Sequence, residues 1–290
     1  MPLPQITEPQ TTNPQANPRL ANQEGASERR KPVPTIAPSP MEHVTEERAR
    51  IAKSLTKFAI RIGVHSGKGG VGKTFVACGL ARLLAENGDS VALLDADVDC
   101  PNVPESLALT ERMTIDDAGL LQPVRAQGLE IVSTGFLQDD GEPLIIRGPI
   151  KHRILTDFVE KVAWRPHDFL IIDFPPGTSD VPLSAMQFID LTGIILVTTP
   201  QRESLADVKR AAGMARKLNV PILGLVCNME GEVFGHVSES FAAELGVPII
   251  TRIQLSKEIR EACERGENAF EHSSLAAQRA ALSKIVEHVN

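Results

Sequence analysis

Residues 58–74 decide the fold, and they read FAIRIGVHSGKGGVGKT. The first nine residues, FAIRIGVHS, form an apolar run of strand length. The octet GKGGVGKT at residues 67–74 then leads into FVACGLARLLAENG, which we expect to be a helix. A glycine-rich loop between a strand and a helix is the context that a phosphate-binding P-loop requires. The sequence therefore predicts a nucleotide-phosphate site at this loop.

The octet has the residue types that a polyphosphate needs. Its glycines let backbone N–H groups turn inward around phosphate oxygens, and the helix that begins near Lys73 points its positive dipole end at them. We expect Lys73 to contact the β- and γ-phosphates, with a catalytic role, and Thr74 to ligate magnesium. The phosphate-binding residues predicted from the octet are Gly67, Lys68, Gly69, Gly70, Val71, Gly72, Lys73 and Thr74.

Two acidic motifs, DADVD and LIIDFPPGT, stand where predicted strands end. Asp173 closes one strand, where its charge can hold magnesium directly or through water. Asp95 and Asp97 alternate after VALL, so in extended geometry both can face the phosphates, and one of them can orient or activate the attacking water. Acidic residues also end strands and enter turns for local reasons, and this alternative stays open for all three.

The remaining pattern predicts an α/β fold. Apolar runs of strand length alternate with longer amphipathic segments, and runs such as GIILVTT are apolar throughout, which is typical of a mostly parallel sheet with helices on both faces. The predicted strands are residues 59–65, 90–94, 129–133, 169–172, 193–198, 222–226 and 248–253. The predicted helices are residues 73–87, 149–162, 182–190, 204–218, 238–245, 257–265 and 275–288.

The composition divides the chain and limits its partners. Residues 1–45 are rich in Pro, Gln and Asn and predict a disordered tail, residues 46–57 a linker or short helix, and residues 58–290 one P-loop domain. A formal net charge of −7 disfavours nucleic acid as a partner. Because no apolar run reaches about eighteen residues and the N-terminus is polar, we expect a cytoplasmic protein without membrane contact.

Further motifs carry a resemblance to a known family. Lys68, directly after the first glycine of the octet, resembles the deviant Walker A of the ParA/MinD/Mrp class of P-loop ATPases. The additional motifs are IIDFPPGTSD at residues 171–180, RGP at residues 147–149, VTTPQRESLADVKR at residues 197–210 and CNM at residues 227–229. Together they resemble the Mrp/ApbC branch, the iron–sulfur cluster carrier ATPases, over about residues 59–266.

This resemblance implies a face-to-face homodimer that binds two ATP molecules, with Lys68 of each subunit reaching the phosphates bound by the other. It further implies that Asp97 handles the attacking water, that Asp95 assists at the magnesium site with Thr74 and Asp173, and that Asn228 binds the adenine edge. A simple turn asparagine is the alternative for Asn228. Hydrolysis of ATP to ADP and phosphate would then depend on dimerisation.

The chain also departs from that family. Carriers of this kind usually present C-x-x-C soon after the asparagine strand, where two such pairs hold a bridging [4Fe-4S] cluster, but residues 228–240 here read NMEGEVFGHVSES. The cysteines are Cys78, Cys100, Cys227 and Cys263. Their spacing fits neither a disulfide framework nor a zinc site, and Cys100 with Cys227 is the candidate pair for cluster ligands. Gln254 also replaces the usual proline before the last nucleotide-contacting loop.

Two functions therefore compete. The first is an Mrp-like ATPase in iron–sulfur cluster or metal-cofactor assembly, with apo-proteins as cluster acceptors. The second is a positioning or regulatory switch of the ParA/MinD kind, which binds a regulatory partner in its ATP state and carries no metal.

Overall fold

A mostly parallel sheet forms the centre of the protein. The computed structural model describes residues 40–137 and 148–287. Its strands there are β1 (Phe58–Ser66), β2 (Val91–Asp95), β3 (Thr114–Ile115), β4 (Leu121–Gln122), β5 (Val124–Ala126), β6 (Leu129–Val132), β7 (His167–Asp173), β8 (Gly193–Thr198), β9 (Ile222–Glu230) and β10 (Ile249–Gln254). Eight of these strands form one sheet in the order β10-β9-β8-β1-β7-β2-β6-β5, and β3 pairs with β4 apart from it.

Helices follow most of the strands. In the described residues they are α1 (Pro40–Leu55), α2 (Lys73–Glu86), α3 (Val103–Ser106), α4 (Gly148–Glu160), α5 (Asp180–Phe188), α6 (Arg202–Lys217), α7 (Glu239–Leu245), α8 (Lys257–Glu264) and α9 (Ala276–Glu287). α2 packs against β1, β2 and β7, and α6 packs against β1, β8 and β9. Every residue of β2 and β8 is buried, so both faces of the sheet are covered there.

The strand order places the ends of the central strands side by side. β1 pairs in parallel with both β7 and β8, and β2 pairs in parallel with β7 and β6, whereas β5 adds an antiparallel edge. Asp95 lies opposite Asp173 in the register of β2 and β7. Since parallel strands end at the same edge of a sheet, the loop after β1 meets the ends of β2 and β7 there.

Apolar burial holds this arrangement in place. Ile62, Val64, Leu93, Ile171 and Leu196 are all fully buried, at 0% exposure, on four neighbouring strands. Burying one such side chain contributes about 1.5–3 kcal/mol relative to leaving it exposed. The sheet is therefore the rigid support on which the loops at its carboxyl edge rest.

The predicted α/β class is confirmed, and each of the seven predicted strands overlaps a strand of the sheet. The strands β3, β4 and β5 and the short helix α3 were not predicted, because elements of two to four residues are too short to show a period of their own.

The segment before β1 is helical over α1. Most of the predicted tail, residues 1–39, lies outside the described residues, but α1 begins at Pro40, earlier than the predicted linker or short helix. Proline is favoured in the first turn of a helix because it needs no hydrogen bond there. Ile51 and Leu55 are buried at 2% and 3% exposure and join α1 to the core. In the described part of the chain, none of the helices has the length and apolar character needed to cross a membrane.

Candidate nucleotide site

The loop between β1 and α2 needs glycine at several positions. Gly70 and Gly72 have φ angles of 76° and 88°, a left-handed conformation that glycine adopts without strain. A Cβ atom on Gly72 would lie 2.1 Å from Nδ2 of Asn228, and one on Gly67 would lie 2.1 Å from the carbonyl carbon of Asp207. By contrast, a Cβ on Gly70 would meet nothing within 4 Å. The backbone therefore leaves room beside Gly70 for phosphate oxygens.

Lys73 and Thr74 begin α2, and both contact Asp173. Nζ of Lys73 lies 2.6 Å from Oδ1 of Asp173, and the Thr74 hydroxyl donates to Oδ2 of the same carboxylate at 2.6 Å. β7, which ends at Asp173, is the neighbour of β1, so the parallel register brings this carboxylate beside the glycine loop. The Lys73 and Asp173 side chains are only 8% and 1% exposed. The structure thus brings together three residues whose roles the motifs predict.

Asp95 is fully buried at the end of β2. Its carboxylate accepts hydrogen bonds from the Ser133 hydroxyl at 2.9 Å and from the backbone N–H groups of Asp97 and Val103 at 3.1 and 3.2 Å. Burial, followed by the nearby charge of Asp173, raises the pKa of Asp95 to about 8. Asp95 therefore fixes the loop after β2, and burial beside Asp173 disfavours its ionised form.

Asp97 lies in that loop and lines a cleft together with Lys73 and Thr74. Its side chain is largely buried, and its Oδ1 accepts a hydrogen bond from the backbone N–H of Cys100 at 3.3 Å. Burial raises the pKa of Asp97 and also that of Asp173. Carboxyl groups whose pKa values are raised together in a cleft mark a candidate functional site.

A magnesium ion fits the donor set of this site. Thr74, Asp95 and Asp173 offer hydroxyl and carboxylate oxygens, which are the ligands that Mg²⁺ prefers. Across residues 40–137 and 148–287, no three His, Cys, Asp or Glu side chains are grouped so as to hold a metal ion by themselves. Since Mg²⁺ at nucleotide sites uses one or two carboxylates together with water and phosphate, the donor set suits an ion that binds with the nucleotide.

Asn228 connects β9 to the glycine loop. Its Nδ2 donates to the carbonyl oxygen of Val71 at 2.9 Å, and the side chain is nearly buried. The next residue, Met229, has a positive φ of 56° and lines the same cleft as Lys73. This cleft has a volume of about 890 Å³, which is within the range of small-molecule sites. The adenine role predicted for Asn228 remains a prediction, but the structure shows that Asn228 holds the loop in place.

Lys68 lies at the rim of the site. Its Nζ is 3.7 Å from Oε2 of Glu203, and the two side chains are 32% and 84% exposed. Lys68 is not among the residues that line the cleft. An ion pair this exposed is worth at most about 1 kcal/mol, so little energy is needed to move Lys68 away from Glu203.

The chain matches a family model along its P-loop region. The model of the NUBPL iron-transfer P-loop NTPases, which belong to the ParA group, matches residues 57–290. The chain belongs to this family. The matched span contains all of the site residues just described.

Relatives of this NUBPL-type NTPase carry a common description. An iron–sulfur cluster carrier protein of Aquifex aeolicus is 40% identical over 245 residues, which is 79% of this chain and 67% of the relative. One from Methanocaldococcus jannaschii is 38% identical over 249 residues, which is 81% of this chain and 86% of the relative. The resemblance noted from the motifs is therefore confirmed.

Solved structures agree with the fold of this NUBPL-type NTPase. A nucleotide-binding protein from Archaeoglobus fulgidus, in complex with ADP, is 31% identical with a TM-score of 0.68 and covers 79% of this chain and 95% of its own. The cell division ATPase MinD of Pyrococcus furiosus is 22% identical with a TM-score of 0.62 over 80% of this chain and 100% of its own, which shows a shared fold.

The four cysteines of this NUBPL-type NTPase, all within the described residues, do not form one group, although Cys78 and Cys263 line the same small cavity. Cys100 is exposed in the loop after β2, whereas Cys227 is fully buried in β9 between β8 and β10. Burial raises the pKa of Cys227 to about 12, which disfavours the thiolate that a metal needs. Cys78 is buried in α2, and Cys263 is partly buried in α8. The structure therefore does not bring Cys100 and Cys227 into one ligand set.

Several residues of the cleft were not predicted. Asp99, Lys151 and Asp180 line it, and Ser133 supports Asp95 from the end of β6. Signals for three of them exist in the sequence, since Asp99 ends the DADVD motif, Asp180 ends the IIDFPPGTSD motif and Lys151 follows the RGP motif closely. No local pattern indicates Ser133, because its role depends on the register of β6 with β2.

Proposed function

We propose that this chain is a homodimeric, Mg-ATP-dependent ATPase that acts in iron–sulfur cluster or metal-cofactor assembly in the cytoplasm. The observation that carries the proposal is the contact of Asp173 with both Lys73 and Thr74, beside a glycine loop that leaves room for phosphate. The names of the relatives, iron–sulfur cluster carrier proteins, and the ADP bound to the Archaeoglobus protein support it.

Each residue of the site has its own role in nucleotide binding or hydrolysis. The backbone N–H groups at residues 67–72 and the ammonium group of Lys73 bind the β- and γ-phosphates. Thr74 and Asp173 would hold magnesium, with Asp95 behind them, and the ion would supply positive charge to the phosphate oxygens. Asp97 orients the attacking water. Asn228 positions the glycine loop and contacts the adenine edge.

The dimer completes the site in this proposal. Lys68 leaves Glu203 and reaches the phosphates bound by the other subunit, where its charge stabilises the transition state. The weak, exposed ion pair between Lys68 and Glu203 supports this exchange, because breaking it costs little. Hydrolysis therefore requires two subunits, whereas nucleotide binding requires one.

A regulatory switch without metal cargo is the second candidate, and the cysteine pattern favours it. No cysteine occurs between Cys227 and Cys263 in the sequence, and Cys227 is buried. Such a switch binds a regulatory partner in its ATP state. The carrier function instead delivers a cluster to apo-protein acceptors, and Cys100 is the exposed thiol at the nucleotide edge that could take part.

Two measurements test these proposals. Titration calorimetry with Mg-ATP, together with phosphate release as a function of protein concentration, tests the ATPase, and the rate per subunit should rise with concentration as dimers form. Anaerobic reconstitution with iron and sulfide, followed by visible absorption and iron content per dimer, separates the two candidates. Cluster absorption in the wild type that is lost in Cys100→Ser supports the carrier, and a colourless wild-type ATPase supports the switch.

A further inference from the structure

Lys151 is a second lysine at the nucleotide cleft, and the P-loop motifs assign it no role. It lies in the first turn of α4 and lines the cleft with Lys73 and Asp97. Its Nζ lies 2.5 Å from Oδ2 of Asp99, in the loop that follows β2. Lys73 is paired with Asp173 in the same way. Both lysines that line the cleft are thus neutralised by carboxylates.

The Lys151 side chain is more enclosed than the ion-paired lysines that lie away from the cleft. It is 18% exposed, while its partner Asp99 is 48% exposed. Lys161, Lys209 and Lys257, which also form ion pairs, are 48%, 41% and 76% exposed. Packing of its apolar stem restricts the rotamers of Lys151, so its ammonium group is held in position at the cleft.

The helix that carries Lys151 is fixed to its neighbour. Nδ1 of His152 lies 2.6 Å from Oγ of Ser184, and the His152 ring packs edge-on against Phe188 with centroids 5.2 Å apart. Both contacts join α4 to α5, whose first residue, Asp180, lines the cleft as well. Lys151 is therefore presented by an anchored helix, and Asp99 is the partner that lies in a loop.

We propose that Lys151 is a further cationic contact for the terminal phosphates of ATP, and that Asp99 holds it at the cleft until the nucleotide enters. Mg-ATP carries more negative charge than one carboxylate, so the triphosphate competes with Asp99 for the lysine. Release of Asp99 then removes one contact that restrains the loop carrying Asp97, while Asp95 still holds the backbone of that loop. This inference rests on the proposed ATP site, and it adds a link between ATP binding and the loop that orients water.

The two partners of the pair predict opposite effects on affinity. Lys151→Ala should weaken binding of Mg²⁺ with adenylyl imidodiphosphate, a slowly hydrolysed ATP analogue, by about tenfold. Asp99→Asn should tighten it by about threefold or more, because Lys151 no longer has to leave a carboxylate. The effect of Lys151→Ala should be smaller for Mg-ADP, which lacks the terminal phosphate. Titration calorimetry measures all of these affinities.

A double variant separates this mechanism from a general charge effect. If Asp99 acts through Lys151, Asp99→Asn gives no gain in a Lys151→Ala background. The matched control is Lys161→Ala, which removes a lysine directly after α4 that is paired with Asp157 away from the cleft, and affinity should stay within twofold. Lys151→Gln keeps the packed stem and should behave as Lys151→Ala does.

Three outcomes overturn the inference. Equal weakening by Lys151→Ala and Asp99→Asn would show that the pair is only a structural brace. An equal gain from Asp99→Asn in both backgrounds would show a general charge effect, and unchanged affinity in Lys151→Ala would remove the contact altogether. In each case the proposed ATP site still stands if the wild type binds nucleotide and Lys73→Ala does not. A wild type that binds no nucleotide would instead contradict the ATP site itself.

Discussion

Buried carboxylates occur at the amino ends and at the carboxyl ends of the strands of the same sheet. We call these two sides the Glu130 edge and the Asp95 edge, or nucleotide edge, and the charges around the carboxylates differ between them. Glu130, near the start of β6, contacts Nε2 of His167 at 2.8 Å, and the guanidinium groups of Arg125 and Arg165 donate to it at 2.9 and 2.6 Å. Burial alone would raise the pKa of Glu130, but these partners lower it to about 2. Asp95, at the far end of the neighbouring strand, has a pKa raised to about 8.

The two edges therefore have different roles, one in stability and the other in ligand binding. At the Glu130 edge each charge has its partners within the chain, so the cluster stabilises the fold without any ligand. At the Asp95 edge, burial and the nearness of Asp95 to Asp173 disfavour the ionised carboxyl groups, and a bound cation would offset that cost. We therefore expect substitutions at the Asp95 edge to change binding or turnover, and substitutions at the Glu130 edge to change stability.

The largest expected effect is the loss of nucleotide binding in Lys73→Ala. This substitution removes the charge around which the phosphate loop is built, so affinity for Mg-ATP should fall by about a hundredfold or more. The melting temperature should also fall, because the buried Asp173 carboxylate keeps the Thr74 hydroxyl but loses the ammonium group that pairs with it. Titration calorimetry and thermal unfolding measure the two quantities. Undiminished affinity would show that residues 67–74 do not form the phosphate site.

A nearly equal effect, confined to turnover, is expected for Lys68→Ala. Nucleotide binding through Lys73 and Thr74 should be retained, but phosphate release should slow by about a hundredfold, because the charge supplied to the opposite subunit is lost. Mixing with an Asp97→Ala protein should restore part of the rate, since one site of a mixed dimer keeps both groups. Turnover at the wild-type rate in Lys68→Ala would contradict the exchange of lysines between subunits.

At the other edge, Glu130→Gln should reduce stability and leave nucleotide affinity unchanged. The amide oxygen of Gln can still accept from the guanidinium groups, but the charge is lost and an NH2 group faces the backbone N–H of Arg165 and Nε2 of His167, which costs about 2 kcal/mol and lowers Tm by roughly 4–8 °C. The matched control is Glu244→Gln, an exposed glutamate paired with Lys209, which should cost under about 1 kcal/mol. Equal Tm values for the two variants would show that the buried cluster contributes no more than a surface pair.

The sequence predicts the nucleotide edge better than the Glu130 edge. Two local patterns carry the prediction: the order of glycines in the octet and the position of Asp173 after an apolar run. The parallel register of β1 and β7 then brings these two segments side by side. The contact between Asn228 and Val71 and the four-residue cluster around Glu130 join segments far apart in the chain. Such pairings depend on which strands become neighbours, and local periodicity carries no information about that order.

The last expected effect is on the pH dependence of stability, and it compares the two edges in a single kind of measurement. The pKa of Glu130 is lowered on folding, so its contribution is present above its unfolded pKa and is lost as the pH falls from about 4.5 toward about 2. The pKa of Asp95 is raised, so its contribution is complete below its unfolded pKa and is lost as the pH rises from about 4 through about 8.

Urea unfolding of the nucleotide-free protein between pH 5 and pH 8 should therefore show a downward slope that becomes flatter in Asp95→Asn, by at most about 1.4 kcal/mol per pH unit. Glu130→Gln should keep the wild-type slope over that range and lose stability uniformly. The slope is the useful quantity, because Asp95→Asn also loses one acceptor for the loop after β2, which shifts stability equally at every pH. An unchanged slope in Asp95→Asn would mean that Asp95 is already ionised at pH 5 and that the nucleotide edge is as well compensated as the Glu130 edge.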